Sequence, residues 1–175
     1  MKRVLIAGIG NIFLGDDAFG PEALRLLAAW RWPEGVMVRD FGLRCQELAY
    51  SLVEGWDGAV VMDAISRDAC PGTLFHLLLN DGEAAATAPS GGHGINLAQV
   101  LQQAHQLLEA TGSDGGAARS LPPLHLVGCQ PLSLEPAEGG RLSAPVAAAL
   151  PRALAMARQI VTEMLASNTL EVATP

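Results

Sequence analysis

The chain has 175 residues, half of them apolar and 17% charged, with a formal net charge of −7. That is enough apolar material for one substantial core, and an acidic balance without a Lys/Arg cluster excludes the electrostatic footprint of a nucleic-acid binder. No apolar run reaches the roughly 20 residues of a membrane-spanning helix, and the run behind Met1-Lys2-Arg3 is too short for a signal peptide.

The three cysteines, Cys45, Cys70 and Cys129, are widely spaced and form no CxxC pair, so they read as reduced thiols in a cytoplasmic protein.

Short β-rich runs alternate with helical stretches, which predicts a three-layer α/β/α fold around a mainly parallel, twisted five-stranded sheet. The first strand is expected over 3–7. Behind a glycine-bounded loop a helix opens with Pro21 near its first position, where the missing N–H costs nothing. Strand two follows over 36–40, a helix over 46–53, and strand three over 59–63, a continuous apolar run suited to a sheet covered on both faces. The Pro71-Gly72 turn introduces strand four over 73–78. Residues 81–94 lack periodicity, helical spacing returns over 96–110, and 111–120 reads as a loop. Strand five falls over 124–128, and a closing helix over 144–165. Residues 1–165 thus read as a single domain, with 166–175 as a flexible tail.

In an open α/β sheet the ligand crevice lies beyond the carboxyl ends of the strands. Here those ends are acidic: strand one runs into Gly8-Ile9-Gly10-Asn11 and then Asp16-Asp17, strand two ends at Asp40 and strand three at Asp63. His93 sits among glycines in the segment after strand four. Carboxylates converging with an imidazole suit a divalent transition metal. Any single acid at a strand end also serves as a helix cap or turn former, and Asp16 and Asp17 are not distinguished by their residue types. His76 and His125 alternate within apolar strands and read as structural, and His105 reads as a helix-surface residue.

The Gly8-x-Gly10 turn also invites a dinucleotide-binding reading, with Asp40 near the ribose. Phe13 stands where that motif needs its third glycine, and two adjacent carboxylates would repel a pyrophosphate. There is no GxxxxGK[ST], HExxH or GxSxG pattern, and nothing around Cys129 suggests an activated thiolate.

The run from Gly8 to Gly20, GIGNIFLGDDAFG, resembles the GxGN-x4-D-[DE]-G-x-G opening of the hydrogenase maturation proteases. Further pieces follow in family order: Asp40-Phe41-Gly42, Val61-Met62-Asp63-Ala64, Pro71-Gly72-Thr73, Ser90-Gly91-Gly92-His93, and Val127-Gly128-Cys129-Gln130-Pro131. The resemblance implies an endopeptidase that removes the C-terminal extension from a nickel-loaded precursor of a [NiFe]-hydrogenase large subunit. Nickel, carried by the precursor, would be its recognition element, with another divalent metal as stand-in for the isolated protein. It further implies Asp17, Asp63 and His93 as the metal-contacting and catalytic residues, supported by Asn11, Asp16, Asp40 and Gly42.

Two departures from the pattern carry expectations. Ala18 replaces a glycine, which costs stability if that position needs a positive φ. Phe41 and Cys45 replace frequent glycines, so the loop after strand two is expected to recognise a particular partner. A non-catalytic docking protein or chaperone for the same large subunit is the alternative of a different class.

Overall fold

The computed structural model describes residues 1–79, 97–111, 120–136 and 141–167. Its strands are β1 (Val4–Ile9), β2 (Val36–Gly42), β3 (Gly58–Ala64), β4 (Leu74–Leu79) and β5 (Leu124–Cys129). They form one sheet of order β2-β1-β3-β5-β4, parallel throughout except for β4, which runs antiparallel to β5. The helices among the described residues are α1 (Phe19–Leu27), α2 (Cys45–Leu52), α3 (Leu97–Thr111) and α4 (Ala144–Ala166). None is long and apolar enough to cross a membrane.

Side-chain alternation splits the apolar residues into two cores. Leu5, Ala7, Ile9, Ala59 and Val61 meet α2 and α3 on one face, while Val4, Ile6, Val60 and Met62 meet α1 and α4 on the other. Because β1 and β3 are covered on both sides, every residue in them is buried. This is the physical reason their sequences are continuously apolar rather than alternating.

Several boundaries differ from the sequence expectation by a residue or two, and two of these matter for the site. β1 runs on to Ile9, since Gly8 and Ile9 still pair with Asp40 and Gly42 of β2. Instead of opening at Pro21, the first helix begins at Phe19, and a 3-10 turn over Gly15–Ala18 feeds it. The helix can start this early because Gly20 has no side chain. A Cβ there would lie 2.5 Å from the Met62 carbonyl of β3 and closer still to the Ile9 carbonyl of β1. Glycine therefore lets the start of α1 settle directly on the ends of the two central strands.

Candidate active site at the carboxyl rim of the sheet

The loop between β1 and α1 turns back over the end of β3. Gly10 takes φ +135 and its Cα abuts the Asp17 carbonyl, a position where any side chain would collide. Its N–H donates to the Gly42 carbonyl (3.2 Å), tying the ends of β1 and β2 together. Gly42 itself has φ +50, and its N–H donates to Asp40 Oδ1 (2.9 Å), an Asx turn on an exposed side chain. Asp40 and Gly42 thus shape the rim from the β2 side.

The two adjacent acids have separate roles. Asp16 is 1% exposed. Its carboxylate accepts four hydrogen bonds: from the N–H groups of Leu132 (2.8 Å), Ser133 (3.3 Å) and Ser143 (2.7 Å), and from Ser143 Oγ (2.8 Å). Ser143 immediately precedes α4 but spends its hydroxyl on Asp16 rather than on capping the helix. Asp16 therefore staples the β1–α1 turn to the segment after β5 and to the start of α4. Sequence reasoning did not single out Ser143, whose partner lies 127 residues away.

Among the described residues Asp17 accepts one hydrogen bond, from the Asn11 N–H to Oδ2 (2.7 Å). Asn11 Oδ1 in turn accepts the Phe13 N–H (3.0 Å), so this residue organises the loop around Asp17. Burial raises the Asp17 carboxyl above the ordinary carboxylate range, against the lowering effect of the Asn11 N–H.

Asp63 is 8% exposed at the end of β3, and its carboxyl is held well above the ordinary range. Burial is the main cause and the Asp17 charge the second. Two carboxylates 46 positions apart in the chain are thus close enough to repel one another at one rim. Among the described residues neither has a Lys or Arg partner. Uncompensated, desolvated negative charge of this kind is what an arriving divalent cation relieves. His93, the third expected donor, lies outside the described residues.

Other motif residues have structural work. Buried Gln130 accepts the N–H groups of Arg67 (2.7 Å) and Ala69 (3.4 Å) through Oε1, bracing the connection from β3 to β4. Gly72, with φ +82, packs against the Pro145 carbonyl at the start of α4. The Cys129 thiol is fully buried and pushed up to about 11, first by burial and then by the Asp16 charge, so it is no nucleophile at neutral pH.

Ala18 has φ −69, an ordinary helical value, so replacing glycine there costs no backbone strain. The expectation for the loop after β2 needs correction. Phe41 is completely buried in the α2/α3 core beneath the Arg39 guanidinium (4.8 Å from the ring centroid), and so cannot touch a partner. The outward apolar side chain of that loop is Leu43, 55% exposed. Cys45 is half-buried at the start of α2, and burial pushes its thiol up, with the Asp63 charge adding to the shift.

The chain matches the family model described as hydrogenase maturation protease over residues 22–160. It is 33% identical over 168 residues to the hydrogenase 2 maturation protease of Escherichia coli, covering 93% of this chain and 95% of that one. To the hydrogenase expression/formation protein HupM of Azotobacter chroococcum it is 34% identical over 162 residues, covering 92% of this chain and 72% of the relative. The solved structure of the hydrogenase maturating endopeptidase HybD from E. coli superposes with a TM-score of 0.73 at 30% identity, over 92% of this chain and 93% of that one.

Proposed function

The chain belongs to the hydrogenase maturation protease family, and on that premise we propose that it cleaves the C-terminal extension from the nickel-loaded precursor of a [NiFe]-hydrogenase large subunit, in the cytoplasm. The observation that carries this reading is the Asp17–Asp63 pair, a half-buried and a buried carboxylate that repel each other without a cationic partner among the described residues. Three free cysteines fit a reducing compartment.

In this proposal nickel arrives as part of the substrate. Asp17 and Asp63 grip it, with His93 as the third donor that the family resemblance implies. Two carboxylates and one imidazole leave coordination positions for ligands supplied by the precursor. Because the two acids repel each other until a cation neutralises them, the rim favours a client that already holds its metal, and so works as a checkpoint on metal insertion. Asp16, Asn11, Asp40 and Gly42 hold the rim in shape. The ion then either polarises the scissile carbonyl or orients a water for a carboxylate base.

Intact-mass spectrometry of the precursor tests the reading. A nickel-loaded precursor should lose its C-terminal extension in a single step, and His93→Ala should abolish that loss. Equal cleavage of a nickel-free precursor would refute the checkpoint, and a stable complex without mass loss would replace the protease with a docking protein.

A further inference from the structure

The antiparallel edge of the sheet brings two histidines together. In the β4–β5 register His76 lies opposite Val127 and Leu78 opposite His125. The two imidazoles are therefore diagonal neighbours on one face, within the reach that cross-strand pairs of long side chains use. Val127 belongs to the core under α1 and α4, so this is the face opposite the one to which alternation along β3 assigns Asp63.

The rings meet through their donor atoms. His76 Nε2 and His125 Nδ1 are 2.7 Å apart, the ring centroids 5.0 Å apart and the planes inclined by 20°. Once the nitrogen separation is subtracted, the centroid distance leaves only the two ring radii. The rings are consequently edge to edge and nearly coplanar, with the two nitrogens facing each other.

We propose that His76 and His125 form a second metal site, a two-imidazole chelate for a late first-row divalent cation such as Ni2+, Cu2+ or Zn2+, with water in the remaining positions. Imidazole is a preferred donor for these ions. Metal–nitrogen bonds of about 2.0–2.1 Å at right to tetrahedral angles separate the two nitrogens by roughly 2.8–3.4 Å. In the present pair the two lone-pair directions face each other along one line, so the exposed His76 ring must swing aside by roughly 2 Å to converge on one ion with half-buried His125 left in place.

Coordination leaves His76 protonated on Nδ1 and His125 on Nε2, so both rings remain neutral. In the present pair one ring already has that tautomer, because only one of the two facing nitrogens donates. Both ligands stand on hydrogen-bonded strands, and the Glu163 carboxylate of α4 adds favourable negative potential.

The test is calorimetric titration of Ni2+, and separately Zn2+, into the untagged full chain carrying Asp17→Asn, Asp63→Asn and His93→Ala, which removes the rim donors. One ion per chain should bind, and His76→Ala or His125→Ala alone should weaken binding about tenfold or more, the scale on which lost metal-site interactions are felt. Should His125→Ala fail to fold, His76→Gln on the exposed ring and nickel-induced shifts of the imidazole nitrogen resonances give the same readout. No binding in the triple variant, or binding that both histidine substitutions leave unchanged, overturns the proposal. Precursor cleavage enters none of these measurements, so the proposed protease function stands or falls separately.

Discussion

Asp16 and Asp17 are neighbours in the chain and opposites in the fold. Asp16 is buried with four hydrogen bonds on its carboxylate, drawn from two distant segments. Among the described residues Asp17 accepts one N–H, and it faces a second carboxyl that repels it. A buried acid whose lone pairs are filled acts as a fastener, whereas one left short of partners is ready to take a ligand. The two acids share a residue type and differ in both respects that matter here: Asp16 is buried and filled with partners, whereas Asp17 is half-buried and, among the described residues, accepts a single bond.

The largest expected effect lies on the unsatisfied side. Asp17→Asn or Asp63→Asn should lower the cleavage rate by about 100-fold or more, with the fold intact by circular dichroism; a variant that still cleaves at the wild-type rate would erase the distinction. On the satisfied side, Asp16→Ala should cost about 2–4 kcal/mol in urea unfolding, because three backbone N–H groups and a hydroxyl lose their acceptor. A cost near zero would mean that water replaces the staple.

Smaller effects sharpen the contrast. The folded state holds the Asp17 and Asp63 protons more firmly than the unfolded chain does, so stability should fall as pH rises from the ordinary carboxylate range through their raised values. Asp63→Asn should flatten that slope and raise the neutral-pH melting temperature on the order of 3 °C, the shift that about 1 kcal/mol makes in a chain of this length. A steeper slope in the variant would reverse the sign of the argument. The smallest change is expected from Ala18→Gly. With φ already at −69, restoring the family's glycine should destabilise by about 0.5–1 kcal/mol rather than relieve strain, as a thermal melt would show.

Much of this was legible in the residues. Continuous apolar runs mark β1 and β3 as doubly covered strands, and acids at strand ends mark the rim. Long-range contacts were not legible. Nothing near Asp16 announces Ser143, and nothing near Phe41 distinguishes a core aromatic from a loop contact, because both depend on which element folds over which. The early start of α1 needed the carbonyls of Ile9 and Met62, which only the packed sheet brings beneath Gly20. His76 and His125 could each be placed on a strand, but their meeting depends on β4 running antiparallel to β5.

The Asp16 staple also has a consequence for timing during synthesis. Its partners at 132, 133 and 143 leave the ribosome long after the β1–α1 turn does. A nascent chain can pair its early strands while the turn carrying Asp17 still lacks its anchor, since contacts of such wide sequence separation close late. The rim proposed as the cutting site is thereby completed only once the helix over Ala144–Ala166 has docked.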